Sequence, residues 1–290
     1  MNQASNLIKI FNCNDRDRIG DVIFVHGLGG NAKGTWHLQE KQDDDFWPFW
    51  LGEDLQKEGQ EVNIWSLKYQ VEPFRWKGNT MPLFDRANNC LDVLDSYEIG
   101  DRPIVFITHS LGGLLVKQML CNALQFGTDE WKLILKQTKG IVFLSTPHSG
   151  SDLATWIDYI GKILGSSVSV KELQANDSRL RDLNLTYRNN SQLKNIPIKV
   201  YCENQKTLGI LVVNKTSADP GIPGVIPIPL DCDHISISKL ESRDLVSYRN
   251  IKKFVKKNLL NSPRQLPPTN SIAISEVSEK KTFGIKSKDN

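Results

Sequence analysis

Cysteine is scarce in this chain and carries no pattern. Five are spread over 290 residues, at Cys13, Cys90, Cys121, Cys202 and Cys232, with no C-x-x-C pair. A sparse, odd set fits a reducing compartment better than a disulfide framework, and it offers no zinc signature. An excess of charge is missing too. Lys and Arg total 36 against 33 Asp and Glu, a formal net charge of +3, and the signs are interspersed, which argues against nucleic acid as a partner. No apolar run approaches the ~20 residues that span a bilayer. The first residues, Met1 to Asn6, are polar and lack the apolar core of a signal peptide. The expectation is a cytoplasmic protein, with peripheral contact to a membrane left open. Internal repeats, a P-loop ending and a G-x-G-x-x-G fingerprint are also absent.

What is present is an alternation of short apolar runs and helical segments. Asp21–Val25, Val62–Leu67, Pro103–Ile107, Gly140–Leu144 and Ile196–Tyr201 are rich in Val, Ile and Phe with little polar alternation, as strands covered on both faces require. Val225–Leu230 carries prolines and suits an edge. Asp85–Tyr97 and Leu111–Leu124 repeat apolar residues at helical spacing, and a last helix is expected over Tyr248–Leu260. The pattern predicts an α/β protein with a mostly parallel central sheet flanked by helices. Its domain would cover residues 1–260. Within it, 151–192 reads as an inserted helical cap, with Leu153, Trp156, Ile157, Ile160, Ile163 and Leu164 as its apolar face. Residues 261–290, Pro-, Ser- and Lys-rich, read as a disordered tail or linker.

The strongest chemical signal is Thr108-His109-Ser110-Leu111-Gly112-Gly113, between a strand and an amphipathic helix. A nucleophile elbow belongs there, because a sharp turn lifts a Ser hydroxyl clear of the sheet's carboxyl edge and small neighbours tolerate the tight backbone. Thr108 replaces the first Gly of the usual G-x-S-x-G. A Ser that only caps the helix would leave Gly112 and Gly113 unexplained. Upstream, His26-Gly27-Leu28-Gly29-Gly30 follows an earlier strand. Acyl transfer needs two backbone N–H donors aimed at the developing oxyanion; Leu111 supplies one in this arrangement and Leu28 the other.

A base must reach Ser110. His26 and His109 are built into the two turns, His148 follows a strand and shapes the pocket floor, and His37 reads as a surface residue. His234 lies after the last strand, in the chain order Ser, acid, His, and is the expected base. Glu203, directly after the strand ending Tyr201-Cys202, is the expected acid, with Asp219 as the alternative; Asp233 adjoins the base but points elsewhere. Asp43-Asp44-Asp45 reads as a solvated loop.

These residues together resemble the α/β-hydrolase domains of the SERAC1-like and PGAP1-like lipase families. The likeness runs through His26–Gly30 with Thr35-Trp36, Phe46-Trp47-Pro48 with Trp50-Leu51, Thr108–Lys117, Ser145–Ser151, Ser217–Asp219 and Asp233–Lys239, in order over roughly residues 20 to 260. Thr216 stands where related sequences often have Glu, and Ser238 where many have Cys. The resemblance implies a lipid or ester hydrolase, or an acyltransferase, with Ser110 and His234 carrying catalysis and Glu203 matching the family's Glu.

The reaction so read is a two-step acyl transfer on a small-molecule or lipid ester, with no metal or organic cofactor required. Thioesterase and peptidase chemistry would use the same parts. A partner-regulated effector or interaction module on the same fold is the alternative of a different class. The apolar cap residues suit an acyl chain or only pack on the core, and Lys252–Lys257 reads as part of a solvated final helix or as a contact with an anionic bilayer.

Overall fold

The computed structural model describes residues 5–14, 16–38, 46–69, 82–148 and 170–260, and the side chains of all of these but 170–178. Seven strands form one sheet in the order β1-β3-β2-β4-β5-β6-β7. They are β1 (Asn6–Phe11), β2 (Gly20–Val25), β3 (Val62–Lys68), β4 (Ile104–His109), β5 (Thr138–Leu144), β6 (Ile198–Glu203) and β7 (Ile228–Leu230). Only β1 runs antiparallel, against β3; every other pairing is parallel. The proline-bearing run forms the edge strand β7, shorter than expected because only Ile228–Leu230 pairs, with Tyr201–Glu203. Strand β1 was not legible as a strand. It is an edge whose register slips between Lys9 and Phe11.

The period of two along each strand divides the core. Val22, Phe24, Val105, Ile107, Val142 and Leu144 face one side. Ile23, Val25, Ile104, Phe106, Ile141 and Phe143 face the other. Each such side chain, fully withdrawn from water, contributes about 1.5–3 kcal/mol. Helices α1 (Trp47–Lys57) and α6 (Val246–Leu260) cover the first face through Trp47, Leu51, Leu55, Tyr248, Ile251 and Val255. Helices α2 (Leu83–Ser96), α3 (Leu111–Phe126) and α4 (Asp129–Gln137) cover the second. Pro at the start of α1 fits the first turn, where its missing N–H is no loss.

Helix α5 (Val170–Asn189) is the described part of the expected cap. Leu183 and Tyr187 join the core on the α3 side. The cap's expected apolar residues Leu153 to Leu164, the acidic run Asp43–Asp45 and the tail 261–290 lie outside the described residues. No described helix is long and apolar enough to cross a membrane. In α6 the basic run is partly neutralised: Lys252 Nζ lies 2.9 Å from Glu58, the residue that follows α1, and Lys256 Nζ 2.7 Å from the same carboxylate.

Candidate active site

Ser110 stands between β4 and α3 with φ 52° and ψ −125°, in the left-handed half of backbone space that side chains rarely occupy. Neighbouring glycines make this turn possible. A Cβ on Gly112 would lie 2.3 Å from the Val25 carbonyl oxygen, and one on Gly113 would lie 2.2 Å from Thr146 Oγ1. A Cβ on Gly27 would come 2.7 Å from that of Ser110 itself, so the upstream loop is pressed against the elbow. Thr108, in contrast, needs no glycine. It is buried in β4, and its hydroxyl donates to the Val142 carbonyl of β5 at 3.0 Å.

The Ser110 hydroxyl does not cap α3. Its Oγ lies 3.0 Å from His234 Nε2. The other ring nitrogen, Nδ1, lies 3.4 Å from Glu203 Oε1, a separation that fits an ion pair once the ring is protonated. All three side chains are buried. With the carboxylate beside Nδ1, the proton of the neutral ring belongs there, and Nε2 faces the serine as an acceptor.

The acid lies at the carboxyl end of β6. Oε1 accepts the Val213 N–H, and Oε2 accepts the Ser145 hydroxyl. Asp219, the alternative acid, is exposed. Its Oδ1 accepts the Gly221 N–H at 2.8 Å in a turn of its own, and it is not brought to His234. Asp233 points away from the ring, its Oδ1 accepting the N–H groups of Ile235 and Ser236 at 3.0 and 2.7 Å.

The remaining histidines have other surroundings. His109 donates from Nε2 to the His234 carbonyl at 2.8 Å, tying the elbow to the loop that carries the base. Burial first, and then the neighbouring His234, lower its pKa to about 3. Burial likewise lowers His26 to about 4; its Nδ1 donates to the Gly27 carbonyl at 3.0 Å and its ring stacks on Tyr69. His148 is fully buried against Phe143, and burial holds its pKa well below the ordinary value. These three rings are neutral at pH 7. Half-buried His37 stacks on Phe46.

Leu111 opens α3, so its N–H belongs to the helix's first turn, where the backbone dipole favours negative charge. Leu28 follows Gly27 in the loop pressed against Ser110. Among the described residues no group of three or more His, Cys, Asp or Glu could hold a metal ion.

Further residues brace this site, and of these Thr207 is one that the sequence did not single out. The Thr207 hydroxyl accepts the His234 N–H at 2.9 Å. The Trp47 indole donates to the Ser238 carbonyl at 2.7 Å, and the Ser238 hydroxyl donates to the Thr35 carbonyl at 2.8 Å. Lys239 Nζ donates to the carbonyls of Gly34 and His37. Helix α1, the loop after Gly30 and the His234 loop are thereby fastened together. Thr207 is a single hydroxyl with no period or spacing to mark it, so only its clustering with the motif residues could have signalled it.

Comparison with known proteins agrees with this architecture. A family model described as PGAP1-like alpha/beta domain matches residues 20–192. Protein SERAC1 of Mus musculus is 32% identical over 254 residues, 81% of this chain and 38% of the mouse protein, so the chain spans well under half of that relative. Among solved structures, the RedJ thioesterase of the prodiginine pathway in Streptomyces coelicolor superposes with TM-score 0.50 at 14% identity, covering 84% of this chain and 92% of that one. A carboxylesterase structure from Nitrososphaera gargenis gives TM-score 0.50 at 12% identity over 88% of this chain and 95% of its own. The fold is the α/β-hydrolase fold.

Proposed function

The chain belongs to the PGAP1-like alpha/beta domain family, and from that premise we propose that it is a serine hydrolase of carboxylic esters. The observation that carries the reading is the run of contacts from Ser110 Oγ to His234 Nε2 at 3.0 Å and from His234 Nδ1 to Glu203 Oε1 at 3.4 Å. Three buried groups in that order have few structural purposes and one chemical one.

In the proposed reaction, Ser110 loses its proton to His234 Nε2 as Oγ attacks the ester carbonyl. The Leu28 and Leu111 N–H groups receive the developing oxyanion, a contribution of about 2.7–4 kcal/mol per donor. The imidazolium is stabilised by Glu203 and returns its proton to the departing alkoxide. Water, activated by the same ring, then releases the acid from Ser110. The protein's own groups perform each of these steps.

An apolar substrate is favoured by the surroundings of the base. Leu208, next to Thr207, is 64% exposed, and Ile235, next to His234, also presents apolar surface to solvent. A lipid-like ester would meet these side chains on its approach.

A fluorophosphonate probe tests the reading. Wild type should be labelled and Ser110→Ala should not, and a panel of esters, thioesters and peptides should be cleaved with preference for esters of medium or long chain. Folded wild type that neither takes the probe nor turns over any ester would defeat the proposal. Labelling retained in Ser110→Ala would remove Ser110 from it.

A further inference from the structure

One buried hydroxyl at the site has no part in the reaction just described. Ser145 follows the last residue of β5 and is wholly buried, with φ 47°, a backbone conformation that favours glycine over serine. Its N–H donates to the Tyr201 carbonyl at 2.9 Å, joining the ends of β5 and β6. Its Oγ makes two contacts with a single residue. It accepts the Glu203 backbone N–H at 3.2 Å and donates its own proton to Glu203 Oε2.

The consequence is geometric. A Glu side chain has three rotatable bonds, and the last of them is soft and two-fold. Tying Oε2 to Ser145 while Oε1 accepts the Val213 N–H stops that rotation. Oε1 is thereby the oxygen presented to His234 Nδ1. A hydrogen bond to a carboxylate is also stronger than one between neutral groups, and its loss would leave a buried oxygen without its donor.

We propose that Ser145 is a positioning residue for the relay of Ser110, His234 and Glu203: its hydroxyl fixes the acid's carboxylate so that one oxygen faces the base. The proposal rests on the serine-hydrolase reading above. It explains why a serine persists where the backbone favours glycine, since glycine would relieve the turn and forfeit the hydroxyl. Ser145 touches neither the nucleophile nor any reacting atom. Its effect passes through Glu203.

That contrast supplies the test. Ser145→Gly removes the hydroxyl while suiting the backbone, and Ser145→Ala removes it while keeping the strain. On a p-nitrophenyl ester both should lower kcat by about 10–100-fold, the scale of a misaligned catalytic group, with KM within about twofold of wild type. Ser145→Gly should melt at or near the wild-type temperature, and Ser145→Ala below it. A fully active Ser145→Gly beside an inactive Glu203→Gln would overturn the proposal, because Ser145 would then serve only its turn. If Ser145→Gly does not fold, an active Ser145→Ala has the same meaning and an inactive, folded one supports the proposal.

Nitrogen-15 NMR of the His234 ring separates this proposal from the reading beneath it. If wild type cleaves no ester, the hydrolase reading fails, and the ring still reports on Ser145. An Nδ1–H tautomer in wild type that becomes mixed in the serine variants supports positioning. The same tautomer in all of them rejects it.

Discussion

Asp21 and Glu203 are the two carboxylates buried among the described residues, and they stand at opposite ends of the sheet. Asp21 lies near the amino end of β2. One of its oxygens accepts the Trp65 indole N–H at 2.8 Å, Arg18 Nε is 3.9 Å away, and the other oxygen has no hydrogen-bond partner among the described residues. Burial raises its pKa above the ordinary carboxylate value, against the pull of Arg18 and the Trp65 bond. Glu203 lies at the carboxyl end of β6, where both oxygens receive donors and one faces an imidazole. Burial is therefore a poor guide to function in this fold. The end of the sheet and the completeness of the donor set separate the structural acid from the proposed catalytic one.

The largest expected effect falls on turnover. Glu203→Gln should lower kcat/KM for an ester by about 10⁴-fold, because an amide cannot hold the ring as a carboxylate does. Asp21→Asn should leave kcat/KM within about twofold. Steady-state kinetics of the pair would break the comparison if the two losses were alike.

The next effect pairs two glycines. Gly112→Ala at the site end pushes a methyl against the Val25 and His26 carbonyls, and Gly20→Ala at the far end pushes one against the Pro103 carbonyl. Each should cost about 1–3 kcal/mol in urea denaturation. Only Gly112→Ala should also slow fluorophosphonate labelling, by tenfold or more, since it alone moves the elbow.

A smaller effect concerns pH. A carboxyl whose pKa is raised on folding binds its proton more tightly in the native state. Stability then falls as pH rises from the unfolded value, near 3.8, toward the folded one. The melting temperature of Asp21→Asn, measured relative to wild type, should rise across that interval and level off above it. A flat difference between pH 3.5 and 7 would show that Asp21 keeps its ordinary affinity for protons.

The smallest effect belongs to the surface. Lys256→Ala removes an ion pair whose partners are both more than a third exposed, and chemical denaturation should register at most about 0.5 kcal/mol. Activity should be unchanged.

The two ends also differ in how far the sequence discloses them. The parallel strands were legible because each is a short apolar run covered on both faces, and the elbow because a Ser followed by two glycines sits between strand and helix. His234 stood out through chain order among only five histidines. Glu203 was legible as a position, after the strand ending Tyr201-Cys202, and Asp219, which lies in an exposed turn, was legible only as its alternative. The partners of these residues were not legible. Ser145 meets Glu203 across 58 positions, and Thr207 meets His234 across 27. A hydroxyl that finds its carboxylate through the adjacency of two parallel strands leaves no local pattern. Strand β1 was hidden because an edge strand with a slipped register lacks the long apolar signature of its buried neighbours. Helices α1 and α4 escaped for another reason: aromatic crowding around Pro48 obscures the first, and the second has only nine residues.

The contact between Ser110 and His234 joins residues 124 positions apart. During synthesis at about 5–20 residues per second, roughly 6–25 s separate the appearance of the serine from that of its histidine. Through that interval the emerging chain holds an ordinary alcohol. When the segment carrying His234 arrives, the Trp47 indole and the Thr35 carbonyl receive it at Ser238. On the proposed reading, reactivity is timed by chain order, because Ser110 gains its base only once His234 has been made.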